Sequence, residues 1–83
     1  MLISIGYKVF VQSDAIVEIM GRESVRVKRL TDAAAQSGML INATGGRQPG
    51  SIILLKSHHV VLSALRPEII KSRLKRMINP IPL

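Results

Sequence analysis

Residues 51–64 of the chain read SIILLKSHHVVLSA, which is two aliphatic runs separated by a short polar segment. The runs at 51–56 and 59–64 are typical of β-strands, and Ser57 and His58 suit a tight turn between them. Strands whose apolar residues follow one another without alternation are usually covered on both faces. We therefore predict two strands that are buried on both faces, in a core or at a subunit contact.

Apolar runs in the rest of the chain predict further strands. We expect these strands over residues 2–5, 8–11, 16–20 and 39–43. The first three runs are too short for helices, and Gly6 and Gly21 close two of them. Residues 45–50, which read GGRQPG, form the clearest loop in the sequence because glycine and proline interrupt regular structure.

A helix is predicted over residues 25–37. Ser24 precedes it as a good N-cap, because its hydroxyl can accept a hydrogen bond from an N–H of the first turn. The apolar residues of one helical face, spaced three and four apart, are Val27, Leu30 and Ala34. Gly38 stands where a glycine commonly ends a helix.

A second helix is predicted over residues 67–78. Pro67 suits its first turn. Its apolar stripe consists of Ile70, Leu74 and Met77. Pro80 and Pro82 end the helix within a short tail at 79–83.

The predicted order of elements is β-β-β-α-β-β-β-α, with one central and one C-terminal helix. This order indicates the α+β class, with a small, largely antiparallel sheet or a barrel-like arrangement. The chain has 83 residues and no linker or repeat, so a single domain over residues 1–83 is expected. A domain this small often gains stability by packing against copies of itself.

The composition is strongly basic. Twelve Lys and Arg oppose five Asp and Glu, which gives a net charge of +7. Such a surface most often meets a polyanion, namely DNA, RNA or anionic lipid. Charge that only keeps an apolar protein soluble is the alternative. The apolar runs are far shorter than the roughly 20 residues of a membrane span, and no signal peptide is evident. We expect a cytoplasmic protein without a membrane partner, associated with the nucleoid if it binds DNA.

No pattern in the sequence supports catalysis, a cofactor or a metal. Gly45 and Gly50 have the spacing of a phosphate-binding loop, but a strand rather than a helix follows them. His58 and His59 are adjacent, so in an extended chain they point to opposite faces and cannot chelate one ion. The five acidic residues are scattered and the chain has no cysteine. We therefore expect a non-enzyme with no small-molecule substrate.

The basic residues fall into three groups. The first group lies at the start of the predicted helix and consists of Arg22, Arg26, Lys28 and Arg29. Arg26 and Arg29 would lie opposite the apolar face of that helix, where an ordinary solvated surface is as good an explanation as a binding surface. The second group lies on the C-terminal helix and consists of Arg66, Lys71, Arg73, Lys75 and Arg76. The stabilisation of a helix C-terminus by cations accounts for part of this charge, and the helix could equally pack on its own domain or on a neighbour.

The third group is Arg47 with its polar neighbour Gln48. Glycines on either side would let the Arg47 guanidinium approach a phosphate or a base edge closely. Recognition of single strands relies on stacked aromatic side chains, and the chain has only Tyr7 and Phe10. This scarcity favours duplex DNA over RNA.

The sequence resembles the RemA-like family, bacterial regulators of extracellular-matrix (biofilm) genes. The resemblance runs from Ile5 to Leu74. The matching pieces are Ile5-Gly6-Tyr7, Glu23-Ser24, Lys28-Arg29, residues 38–44, Gly46-Arg47, residues 59–64 and Pro67-Glu68. The resemblance implies a DNA-binding transcriptional regulator that assembles into rings, with duplex wrapped around a basic outer surface. It also implies a fold akin to the LytTR-type DNA-binding domain, without enzyme activity or cofactor.

The sequence departs from the family pattern at two basic positions. The family loop typically reads Gly-Arg-Arg, and here Gln48 replaces the second arginine. Another basic position, before the third strand, is occupied by Ala15. Of these binding positions only Arg47 carries over, while Lys8, Arg22 and Arg26 add charge elsewhere. Either the DNA surface is redistributed, or another partner has replaced DNA.

The resulting hypothesis is a ring-like homo-oligomer that binds double-stranded DNA. The predicted contact residues are Arg47, Gln48, Arg22, Arg26, Lys28, Arg29 and Lys8. An RNA-binding protein that uses the same patches is one alternative. A structural homo-oligomer or protein-interaction module that has lost DNA binding is another.

Overall fold

The computed structural model describes the backbone of residues 1–78 and the side chains of residues 1–76. The predicted tail at 79–83, with Pro80 and Pro82, and the predicted stripe position of Met77 lie outside these described parts. The strands are β1 (Leu2–Gly6), β2 (Val9–Gln12), β3 (Ile16–Gly21), β4 (Leu40–Ala43), β5 (Ser51–Leu55) and β6 (Val60–Ser63). The helices are α1 (Val25–Gln36) and α2 (Pro67–Ile78), and a 3-10 turn (Ser13–Ala15) joins β2 to β3.

The strands form two sheets. Strands β1 and β2 pair as an antiparallel hairpin, and the larger sheet has the order β3-β5-β6-β4. Strands β3, β5 and β6 are antiparallel neighbours, whereas β4 and β6 are parallel. The α+β class and the largely antiparallel pairing are therefore confirmed. The division into two sheets and the parallel pair were not predicted, and the likeness to the LytTR-type domain stays a prediction.

The parallel pair follows from the path of the chain after β4. Strand β6 lies between β4 and β5, so the connection at 44–50 must cross the end of β6 where Ser63 lies. The N–H of Gly50 donates to the carbonyl oxygen of Ser63 at 2.7 Å. A side chain at Gly50 would begin 2.7 Å from the carbonyl oxygen of Ala64, so only glycine fits this close crossing.

Both faces of the larger sheet are covered, as the continuous apolar strands predict. Side chains alternate along β5, so Ile52 and Leu54 face one side while Ile53 and Leu55 face the other. Helix α1 covers the first face. Its core consists of Met20, Ala34, Ile52 and Val60. The hairpin and α2 cover the second face, whose core consists of Ile3, Ile5, Ala43, Ile53, Leu55, Val61 and Ile70.

Both helices lie close to their predicted positions. Ser24 caps α1 by accepting a bond from the N–H of Arg26 at 3.3 Å, and the predicted apolar face of α1 packs on the sheet. Helix α2 begins at Pro67 and buries Ile70 completely. Such a buried isoleucine typically contributes about 2–5 kcal/mol, so Ile70 is a main anchor of α2.

Candidate nucleic-acid interface

The connection from Thr44 to Gly50, hereafter the crossing loop, displays Arg47 and Gln48 at the surface. The N–H of Arg47 donates to the carbonyl oxygen of Thr44 at 3.2 Å, which closes a turn. The two residues inside this turn, Gly45 and Gly46, have φ angles of +63° and +86°. Glycine adopts this left-handed region without strain. The loop is thus fixed at both ends, and the side chains of Arg47 and Gln48 are exposed between them.

On one side of the crossing loop lies a cleft of about 570 Å³, hereafter the Arg47 cleft. It is lined by Ser4, Gly6, Tyr7, Thr44, Gly45, Arg47, Ala64, Leu65 and Arg73. Two arginines and no acidic residue are among these described lining residues, so the cleft is cationic.

Arg73 reaches the Arg47 cleft from α2. Its Nη1 donates to the carbonyl oxygen of Ser4 at 2.8 Å, which fixes the guanidinium against the middle of β1. Tyr7 forms another wall and is 67% exposed. Lys8 lies in the β1–β2 turn rather than in β2 as predicted, and its Nζ is 5.6 Å from the centre of the Tyr7 ring. A third cation therefore lies close to this cleft.

On the other side of the crossing loop lies a second cleft of about 590 Å³, hereafter the Gln48 cleft. It is lined by Gly21, Arg22, Glu23, Gln48, Pro49, Gly50, Ala64, Arg66, Pro67 and Glu68. Arg22 and Arg66 supply two positive charges here, and Glu23 and Glu68 supply two negative charges. The lining is therefore close to neutral, in contrast to that of the Arg47 cleft.

The basic residues of α1 lie apart from both clefts. Arg26, Lys28 and Arg29 are exposed, as their position opposite the apolar face predicts, and they line neither cleft. Arg26 Nη1 bonds to both carboxylate oxygens of Glu18, at 2.8 and 3.0 Å. This is the one ion pair among the described residues. Of the predicted contact residues, Arg47 lines one cleft and Lys8 lies over the Tyr7 ring that forms its wall, whereas Arg22 and Gln48 line the other cleft.

Sequence reasoning did not place Arg73 or Arg66 among the contact residues. Both belong to the basic group that was assigned to helix stabilisation or packing on a neighbour. Arg73 follows the buried Ile70 by three residues, so it lies at the edge of the buried stripe of α2. From this spacing it could be predicted that Arg73 lies on the side of α2 that faces the sheets. The contact with Ser4 could not be read from the sequence, because the two residues are 69 positions apart.

The histidines lie in the β5–β6 turn, at the far end of the sheet from the crossing loop. His58 is exposed with a φ of +71°, and His59 is half-buried. His59 Nδ1 lies 2.7 Å from the hydroxyl of Ser57. Within residues 1–78, no cluster of three or more metal-ligating side chains is present. Neither described helix is long and apolar enough to cross a membrane.

Comparison with known proteins covers nearly the whole chain. Residues 2–74 match the RemA-like family, described as extracellular matrix regulatory protein A-like. A protein of Desulfitobacterium hafniense is 44% identical over 88% of this chain and 80% of its own length. A protein of Pseudothermotoga lettingae is 41% identical over 90% of this chain and 82% of its own.

A third relative, from Carboxydothermus hydrogenoformans, is 40% identical over 93% of this chain and 88% of its own length. All three relatives are provisionally named regulatory proteins, a name that denotes no enzyme. The match extends from β1 to α2 and includes the crossing loop and both clefts. The chain belongs to the RemA-like family.

Proposed function

We propose that the protein is a non-enzymatic, DNA-binding transcriptional regulator that acts as a ring-like homo-oligomer. The observation that carries the proposal is the Arg47 cleft, which is lined by both Arg47 and Arg73 and by no acidic residue among the described residues. Phosphate oxygens of a DNA backbone are natural partners of arginine guanidinium groups. Lys8 beside Tyr7 adds positive charge next to the same cleft.

The crossing loop suits an approach to duplex DNA. It is held at both ends by backbone hydrogen bonds, so the backbone that carries Arg47 loses little conformational freedom on binding. Arg22 lies at the same end of the sheet, because Gly21 pairs with Ser51 at the foot of the loop. Cations from several separate segments of the chain thus converge at one end of the domain.

Exposed apolar side chains support self-association. Leu2 and Phe10 are 57% and 59% exposed and are diagonal neighbours on the outer face of the β1–β2 hairpin. Val25 at the start of α1 is 94% exposed. A second copy could cover these side chains. In a ring, many weak phosphate contacts would then act together, because each bound subunit raises the effective concentration of the next.

The test is fluorescence anisotropy of a labelled duplex of several helical turns, titrated with the protein across a salt series. We expect tight binding that weakens steeply as salt is added. The logarithm of the association constant should fall linearly with the logarithm of the salt concentration, with a slope of about −0.9 for each phosphate neutralised. Arg47→Ala should weaken binding by about tenfold or more, since one charge-assisted hydrogen bond is worth roughly 1.5–3 kcal/mol. It should also make the salt slope shallower.

Lys56→Ala is the matched control. Lys56 is an exposed cation at the opposite end of β5 from the crossing loop, so its loss should leave the affinity nearly unchanged. Light scattering on each variant shows whether the oligomer is intact. Equal affinities of the Arg47→Ala variant and the wild type would exclude the crossing loop as the contact. Preference for single-stranded RNA would favour an RNA-binding protein, and assembly without polyanion binding at about 0.15 M salt would favour a structural oligomer.

A further inference from the structure

The Arg47 cleft has the features of a site for a single phosphate group. Its two arginines come from different elements, the crossing loop and α2, and line a common space of about 570 Å³. Arginine binds phosphate through two parallel N–H donors, which matches the geometry of phosphate oxygens. None of the described lining residues carries a carboxylate that would compete for these donors.

Arg73 is held in place before any ligand arrives. Its bond from Nη1 to the carbonyl oxygen of Ser4 ties the guanidinium to β1 at 2.8 Å. A guanidinium has five N–H donors, so this bond leaves others for an anion. A side chain that is already fixed loses less conformational entropy on binding, which raises its contribution to affinity.

Tyr7 supplies the adjoining wall of the cleft. The ring packs against Gly45, where an added side chain would begin 3.0 Å from the ring. The ring is nevertheless 67% exposed. A sugar or base ring attached to the bound phosphate could pack on such an aromatic surface. The volume lies within the range of about 300–1,000 Å³ that is usual for small-ligand sites, so it exceeds what a lone phosphate needs.

We propose that the Arg47 cleft is a phosphate-binding site in which Arg47 and Arg73 hold one phosphate group and Tyr7 contacts the adjoining nucleotide unit. The assignment of that phosphate to a DNA backbone rests on the proposed function. The site itself does not, because a free phosphate compound has the same chemistry. Arg73 thereby becomes a contact residue, in addition to those predicted from the sequence.

The chain has one tyrosine and no tryptophan, so its intrinsic fluorescence reports on Tyr7 alone. The experiment is a titration of the full chain with inorganic pyrophosphate at constant ionic strength, followed by tyrosine fluorescence. We expect a saturable change in the wild type. Arg73→Ala and Arg47→Ala should each weaken it by about tenfold or more, since each removes charge-assisted hydrogen bonds.

Arg76→Ala is the matched control, because Arg76 is an exposed arginine of the same helix that does not line this cleft. Its titration should match that of the wild type. No saturable change in the wild type, or full retention of the change in either the Arg73→Ala or the Arg47→Ala variant, would overturn the proposal. If Arg73→Ala disturbs folding, as circular dichroism would show, the exposed Arg47 decides the question.

Titration of the same proteins with labelled duplex separates the site from the proposed function. If the protein binds pyrophosphate but not duplex, the phosphate site stands, but the phosphate that it binds does not come from a DNA backbone. If the wild type itself does not respond to pyrophosphate, while the wild type and the Arg73→Ala variant bind duplex equally well, the site is removed and the proposed function stands.

Discussion

The two clefts beside the crossing loop have similar volumes, about 570 and 590 Å³, but different charge balances. Arg47 faces the cleft whose described lining contains arginines and no acid. Gln48 faces the cleft in which Glu23 and Glu68 offset the arginines. Gln48 is also where the sequence departs from the Gly-Arg-Arg pattern expected of the family. The position that departs from the expected pattern therefore lies on the neutral side of the loop, while the position that matches it lies on the cationic side.

The other departure, at Ala15, lies far from both clefts within one subunit. Ala15 ends the 3-10 turn before β3, and its carbonyl oxygen accepts the N–H of Lys56 at 2.8 Å. It therefore belongs to the end of the sheet opposite the crossing loop. The DNA surface that we propose for this subunit is therefore centred on the Arg47 cleft and not on Ala15.

The largest effect is expected from two serines beneath the crossing loop. Ser51 and Ser63 face each other across β5 and β6, and both are fully buried. The Ser63 hydroxyl donates to the carbonyl oxygen of Ile5 and accepts the N–H of Leu65, next to the wall of the Arg47 cleft. The Ser51 hydroxyl has no partner among the described residues.

Ser63→Ala should lower the free energy of unfolding by about 1–3 kcal/mol, because it leaves buried polar groups without partners. Ser51→Ala removes a hydroxyl that makes no bond, so it should leave stability unchanged or raise it. Urea denaturation at a fixed protein concentration measures both. An unchanged free energy of unfolding for Ser63→Ala would show that the hydroxyl bonds of Ser63 do not brace the wall of the Arg47 cleft.

A smaller effect is expected from placing an arginine at Gln48, beside Arg47. Gln48→Arg should raise duplex affinity by only about threefold, since exposed charges interact weakly and Glu23 and Glu68 offset the new cation. Combining it with Glu23→Gln should raise affinity by about tenfold. Anisotropy titration of both single variants and the double variant measures this coupling. A gain of tenfold or more from Gln48→Arg alone would show that the carboxylates of the Gln48 cleft have no influence.

The smallest effect is expected at Arg26. This side chain pairs with Glu18 on the outer surface of the domain, away from both clefts. Arg26→Ala should change duplex affinity by less than about twofold and stability only slightly, because exposed ion pairs contribute little. Anisotropy and thermal melting check both. A loss of duplex affinity comparable to that of Arg47→Ala would place α1 in the DNA interface, and the Arg47 cleft would then not be its main contact.

The elements of the fold could largely be predicted from the sequence, because strands and helices are local. Continuous apolar residues marked β5 and β6, and the spacing of Val27, Leu30 and Ala34 marked α1. The pairing of the strands could not be predicted in the same way, because an apolar run does not specify its partner. The crossing over β6 depends on the close backbone contact at Gly50, which only the folded chain shows.

The candidate site was predictable in part. The crossing loop stood out through its glycines, and Arg47 within it was identified directly. The charge balance of the clefts could not be predicted, because it depends on residues that are distant in sequence. Arg73 joins Arg47 from the C-terminal helix, and Glu23 joins Glu68 across more than half the chain.

The central claim is that duplex DNA contacts the Arg47 side of the crossing loop. The most direct test compares Arg47→Gln with Gln48→Glu, since each lowers the charge by one unit at neighbouring exposed positions on the same loop. Anisotropy with one labelled duplex at one salt concentration gives both affinities. We expect a loss of about tenfold or more for Arg47→Gln and only about two- to threefold for Gln48→Glu. Equal losses would contradict this expectation, because binding would then follow net charge and not the geometry of the Arg47 cleft.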